Sequence, residues 1–121
     1  MERPSFKELY GKIEQAKDAI EKNQIFTIDL EVIAADAIEL GYEVSEVNKI
    51  LSIILKEIDP KNYVGNRPPQ KSYKKEIKGF ELFAFRWISK TFGCESYLKF
   101  SIKQDSFYLV SLHQDRSNKG E

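Results

Sequence analysis

The stretch that decides the fold runs from Glu95 to His113, ESYLKFSIKQDSFYLVSLH. Its first half alternates. Leu98, Phe100 and Ile102 fall on one face of an extended chain, and Tyr97, Lys99 and Ser101 on the other. A period of two is that of a strand with one buried face. Polar Lys103-Gln104-Asp105-Ser106 turns the chain, and Phe107 to His113 returns as a second run. A two-residue loop at Gln104-Asp105 predicts a hairpin that pairs Ile102 with Phe107 and Phe100 with Leu109. Strict alternation also puts Tyr97 and Lys99 on one face with Val110, and His113 on the opposite face with Leu109 and Phe100. Only a bulge or a strand end would bring His113 across.

Immediately upstream, Phe80 to Ile88 (FELFAFRWI) is apolar on both parities, as a strand covered on both faces would be. Residues 60–79, PKNYVGNRPPQKSYKKEIKG, carry three of the four prolines and no long apolar run. Pro68-Pro69 lacks amide donors and cannot lie in a central strand. The segment reads as an ordered, exposed loop over 60–73, followed by a short strand near 74–78. Loops of this length are usually functional or flexible.

Before residue 60 the period is that of helices. Ser5 and Glu8 form a capping-box pattern ahead of the stripe Phe6, Leu9, Tyr10, Ile13, Ala16 and Ile20. Lys22-Asn23 stops this helix, and Gln24 to Phe26 reads as a short edge strand. Thr27 is placed to cap a second helix striped by Leu30, Ile33, Ala34, Ala37 and Ile38, with Gly41 as its left-handed stop. Ser45 is placed to cap a third, whose stripe is Val47, Ile50, Leu51, Ile54, Leu55 and Ile58. Asp59-Pro60 closes it. Helices followed by strands give an α+β fold, with N-terminal helices packed on a C-terminal, mainly antiparallel β-sheet.

The chain has 121 residues and 14.1 kDa, which predicts one domain over 1–121. Hydrophobic residues are 41% and charged residues 31%, a balance that excludes a disordered chain. No apolar run approaches the roughly 18 residues that would cross a bilayer, so no membrane partner is expected. MERPSFKELYGK has no signal-peptide apolar core. A single cysteine, Cys94, excludes an internal disulfide and a multi-cysteine zinc site. The expectation is a soluble cytoplasmic protein.

The net charge of zero conceals a split. Residues 1–60 hold 7 Lys+Arg and 13 Asp+Glu, a balance of −6; residues 61–121 hold 12 and 6, a balance of +6. Of the 15 aromatic residues, Phe6, Tyr10, Phe26 and Tyr42 alone precede residue 60. A basic, aromatic-rich half suits a polyanion, because cations attract phosphates and rings stack on bases. It equally suits a sheet with an aromatic core and solvated lysines.

One histidine, one cysteine and scattered carboxylates give no metal-ligand spacing, and no Gly-rich phosphate loop or nucleophile elbow is present. Cys94 has a single imidazole, His113, to activate it, and reads more simply as a small buried side chain. The remaining chemistry is cationic: Arg86, Lys99 and His113 fall on three adjacent strands, with Tyr97 two residues from Lys99. Metal-free RNA cleavage uses these types. A base takes the 2′-hydroxyl proton, a cation steadies the phosphorane, and an acid protonates the leaving 5′-oxygen. Arginine binds phosphate oxygens bidentately, and histidine exchanges protons near neutrality. The basic loop residues Lys61, Arg67, Lys71, Lys74 and Lys75 are placed to guide an RNA backbone.

A family resemblance adds to this reading. Gln24-Ile25-Phe26 is followed by Ala34, Ala37, Leu40 and Gly41 in an A-x-x-A-x-x-L-G helix, then by an Ile-rich helix ending at Asp59 and by Tyr63. Phe85-Arg86, the strand Tyr97-Leu98-Lys99 and the closing Leu109-Val110-Ser111 follow in order. Over about residues 13–113 the chain resembles the MqsR-type toxins of the RelE/ParE superfamily of bacterial toxin–antitoxin systems. The resemblance implies a RelE-like domain and metal-independent cleavage of mRNA, on or off the ribosome, with no cofactor. It also implies neutralisation by a cognate antitoxin protein. It assigns Tyr97 to the active site and Arg86 and Lys99 to basic sheet positions, and His113 is similar to a terminal-strand histidine of some RelE relatives. Two positions depart from the pattern: Val64 stands where the family has a lysine, and Leu82 where it has a glutamine. The alternative is a non-catalytic RNA-binding or protein-interaction module on the same fold.

Overall fold

The hairpin forms in the predicted register in the computed structural model, which describes residues 2–115. Strand β3 is Cys94–Lys103 and strand β4 is Ser106–Gln114, with Ile102 opposite Phe107 and Phe100 opposite Leu109. Gln104 and Asp105 take φ of 51° and 64°, the left-handed pair that a two-residue hairpin turn demands. Strand β2, Phe83–Ser89, lies antiparallel on the other side of β3. A short strand β1, Ile25–Thr27, pairs parallel with β4 at the opposite edge. The described residues thus form a four-stranded mixed sheet, ordered β1-β4-β3-β2.

One face of the sheet is covered by helices. Helix α1, Phe6–Glu21, begins at the predicted cap, where the Ser5 hydroxyl accepts the Glu8 amide at 3.1 Å; the Glu8 carboxylate turns to Arg3 rather than back to Ser5. Helix α2, Leu30–Leu40, ends at Gly41 with φ 90°. Helix α3 is Val47–Ile54. Leu9, Ile13, Ile33, Leu51 and Ile54 join Phe83, Phe85, Phe100, Phe107 and Leu109 in one core. Its centre is a run of rings, Phe85 against Phe100 at 5.9 Å and Phe100 against Phe107 at 4.9 Å. Among the described residues no helix is long and apolar enough to cross a membrane.

Five local expectations change. Helix α3 ends at Ile54 rather than at Asp59-Pro60, and residues 55–57 continue as turns. Asp29, not Thr27, caps α2, because Thr27 is consumed by pairing with Leu109. Ser45 lies inside a 3-10 turn, Val44–Glu46, ahead of α3 and gives no side-chain cap. Residues Lys75–Ile77 form a 3-10 turn rather than a strand, because Ile77 is drawn into the interior. β2 is covered on its second face only at Ala84, where the loop lies over it; Ile88 is 78% exposed.

The loop is nevertheless fixed. The Val64 amide donates to the Ala84 carbonyl at 2.8 Å, and the Leu82 amide to the Gln70 carbonyl at 2.8 Å. The N-terminal segment clamps it from outside. Arg3 bridges Glu8 and Glu81, and Arg67 lies over the Tyr63 ring while donating to the Pro4 carbonyl at 3.1 Å.

Glu57 joins the end of the helical layer to the sheet. Its carboxylate accepts from Trp87 Nε1 and Ser89 Oγ, both at 2.8 Å, and from the Thr91 amide and hydroxyl. Burial alone would push its pKa up, but the bonds from Thr91, Trp87 and Ser89 outweigh it and hold the carboxyl below its usual 4.5. A lowered folded pKa means that this stabilisation is complete above about pH 4.5 and is lost as pH falls through the folded value. Glu57→Ala should cost about 2–3 kcal/mol at pH 7, since the buried Trp87 and Ser89 lose their acceptor. Urea melts at pH 7 and pH 3 check this: the gap between parent and variant should narrow at the lower pH.

Candidate functional site

The position of His113 is set by one residue in β4. Lys99 pairs with Ser111 and Phe100 with Leu109, so Val110 has no partner of its own and forms a bulge. Beyond it the alternation of β4 is inverted. Leu112 turns inward opposite Leu98, both fully buried, and His113 comes to lie opposite Tyr97. Arg86 is the partner of Tyr97 on β2. Arg86, Tyr97 and His113 therefore form one row across three strands on the face away from the helices. Ala84, Lys99 and Ser111 form the adjoining row. Neighbouring strands lie about 4.8 Å apart, so the Cα atoms of Arg86 and His113 are about 10 Å apart.

Tyr97 and His113 stack, with ring centroids 5.0 Å apart and planes at 21°. His113 Nδ1 is 2.7 Å from the Gln114 carbonyl oxygen. A carbonyl can only accept, so Nδ1 carries a proton, and Nε2 is the nitrogen left to accept one. Burial pushes the Tyr97 phenol above its usual 10; Arg86 opposes this and Asp115 adds to it. Tyr97 is thus a proton donor throughout the neutral range. Arg86 Nε is buried and lies 2.9 Å from Asp115 Oδ2, near enough for an ion pair though off line for a hydrogen bond. The Arg86 side chain remains 35% exposed, whereas that of Asp115 is 4% exposed.

The loop supplies a wall beside this row. A cleft of about 110 Å³ is lined by Val64, Asn66, Gln70, Leu82, Tyr97 and Lys99, among others. The amide of Asn66 donates to Gln70 Oε1 at 3.1 Å. Tyr63 props the wall from within: its ring meets Phe85 edge-on and its hydroxyl donates to the Asn66 carbonyl at 2.5 Å. Gly65 is required there, because a Cβ at that position would come within 2.6 Å of the Tyr63 hydroxyl.

Of the nine residues singled out in the sequence, Arg86, Tyr97, Lys99 and His113 come together on this face. The five loop cations do not line the cleft. Arg67 is engaged by Tyr63 and Pro4, Lys61 sits 4.0 Å from Asp59, and Lys71 bridges to Glu81 through its backbone. Lys74 and Lys75 are exposed at the far end of the loop. Both departures from the family pattern, Val64 and Leu82, are on the cleft. Asp115 and Asn66 stand at the candidate site with no sequence signal to mark them, and Ser111 is marked only as part of the closing Leu109-Val110-Ser111 run. Cys94 is half-buried rather than buried; it lies 3.7 Å from Ser96, which faces Gln114, and pairs with Ser89 of β2. Among the described residues no group of three or more His, Cys, Asp or Glu side chains is disposed to hold a metal ion. No protein-family model matches the sequence, and no curated protein matches it.

The bulge generates a counterintuitive expectation. Val110 and Ser111 share one place in the ladder, so deleting Val110 should leave Leu112 inside and His113 still opposite Tyr97. Ring-to-ring nuclear Overhauser effects between Tyr97 and His113 should persist in the deletion variant. Their loss would show that β4 re-registers instead.

Proposed function

We propose that the sheet face is the active site of a metal-independent endoribonuclease that cleaves mRNA in the cytoplasm. In this reading the chain is the toxin of a toxin–antitoxin pair and is neutralised by a cognate antitoxin protein. The observation that carries the reading is the row Arg86–Tyr97–His113 beside Lys99 on the sheet face that the helices leave open. Those groups supply the three functions the reaction needs, side by side. The sequence resemblance supplies the biological setting.

His113 Nε2 takes the 2′-hydroxyl proton, and the O2′ oxygen attacks phosphorus. The P–O5′ bond breaks as the Tyr97 hydroxyl gives its proton to O5′. The products are a 2′,3′-cyclic phosphate and a 5′-hydroxyl end. Arg86, oriented by Asp115, and Lys99 balance the charge that builds on the non-bridging oxygens. Tyr97 keeps its proton at neutral pH, as a general acid must, and the Nδ1-protonated tautomer of His113 suits the base.

Cleavage should survive EDTA and leave cyclic or 3′-phosphate ends, read by end-specific ligation of the products. Tyr97→Phe removes one hydroxyl and should slow cleavage by roughly 10²–10⁴. A substrate whose leaving group needs no proton, such as a p-nitrophenyl ester of a nucleoside 3′-phosphate, should restore Tyr97→Phe but not His113→Gln. The acid limb assigned to Tyr97 should fall above pH 10. Folded Tyr97→Phe and His113→Gln variants that both cleave at the parental rate would refute the assignment.

A non-catalytic RNA-binding module is favoured by one observation, the pairing of Arg86 with Asp115, which neutralises part of the row. That reading predicts RNA binding by the parent without any new RNA ends.

A further inference from the structure

Helix α2 is apolar nearly all round. Eight of its eleven residues, LEVIAADAIEL, are apolar, yet Ile33, Ala37 and Leu40 suffice for its buried stripe. On the outward side Leu30 is 60%, Val32 50% and Ile38 82% exposed. Leu30, Ala34 and Ile38 recur every four residues, the spacing of a ridge that meets another helix. A helix apolar on every side is ordinarily covered on every side.

The ridge continues into a groove of about 540 Å³ beyond the end of α2. Ile38, Tyr42 and Ile50 line it, together with Glu43 and Glu46. Charge selects what fits there. From Asn23 to Asn48 there is no lysine or arginine, while Asp29, Glu31, Glu39, Glu43 and Glu46 are acidic and exposed. A second copy of this face would set carboxylates against carboxylates, and an RNA backbone would be repelled for the same reason. An arginine or lysine fits both halves of the groove. Its methylene stem lies along Ile38, Tyr42 and Ile50, and its charged head meets Glu43 and Glu46.

We propose that α2 and the groove at its C-terminal end dock a basic, amphipathic α-helix of a partner protein. The apolar side of that helix packs on Leu30, Ala34 and Ile38, and a cationic side chain enters the groove. This surface belongs to the helical layer, since α2 packs its buried stripe into the core against β4. It is therefore distinct from the row of Arg86, Tyr97 and His113, and the proposal stands whether or not that row cleaves RNA.

The test uses the full chain and two defined probes, a helical peptide of leucine and lysine and its leucine–glutamate counterpart. On titration, backbone amide shifts should be confined to residues 30–50 and should occur with the lysine peptide only. Glu43→Lys combined with Glu46→Lys should weaken binding about tenfold, as should Ile38→Asn. All three side chains are exposed, and an otherwise unchanged amide spectrum verifies that each variant is folded. Affinity for the parent should fall as salt rises. Equal binding of both peptides, shifts centred on α1, no binding, or indifference to both variants would each overturn the proposal. So would a sedimentation-detected homodimer abolished by Ile38→Asn, which would assign the face to a second copy.

Discussion

Side chains on an extended strand must alternate, and β4 carries two demands that strict alternation cannot meet. Leu109 and Leu112 are both needed inside, three residues apart, where a period of two puts one of them outside. The bulge at Val110 absorbs the odd residue. The core gains Leu112 opposite Leu98, and the open face gains His113 opposite Tyr97. Packing and candidate chemistry are thus solved by the same irregularity. Burial of Leu112 provides the driving force, on the order of 2 kcal/mol for a fully buried leucine, and the histidine is carried along with it.

The candidate site is rigid for reasons that lie outside it. Its floor is a sheet whose other side is locked by stacked phenylalanines, and its wall is a loop hydrogen-bonded at Val64 to Ala84 of β2 and at Gln70 to Leu82 just before β2. Tyr63 fills the space between wall and core, at the expense of any side chain at position 65. Glu57 ties the helical layer to the hairpin between β2 and β3, which holds Arg86 at its register with Tyr97. Pre-set geometry of this kind is what a cation needs if it is to meet charge as it develops, without reorganising.

Much of this was legible in the amino-acid sequence, and for local reasons. The register of the hairpin followed from two polar residues between alternating runs, and α1 from Ser5 and Glu8. The features that were hidden depend on competition between distant parts. Thr27 looks like a helix cap until β4 claims it as a strand residue. The run KKEIK looks extended until Ile77 is drawn inward. A one-residue bulge needs no glycine, so Val110 has no signature; only the conflict between His113 and Tyr97 hinted at it. Arg86, Tyr97, Lys99 and His113 could be named from residue type and strand order. Asp115 and Asn66 could not, because each reaches the site through a fold-dependent approach with no spacing rule behind it. The loop cations failed to line the cleft for the opposite reason: composition reports charge, not direction.

The clamp formed by the first residues has a practical meaning for anyone handling this protein. Arg3 grips Glu81 at the approach to β2, and the Pro4 carbonyl holds Arg67 on the far side of the cleft wall. These contacts make the N-terminal segment a latch on a loop more than sixty positions away in the chain. An affinity tag, a leader remnant or a protease nick at this end is therefore not a neutral change. It acts on the wall of the cleft from behind, through the contacts of Arg3 and Pro4.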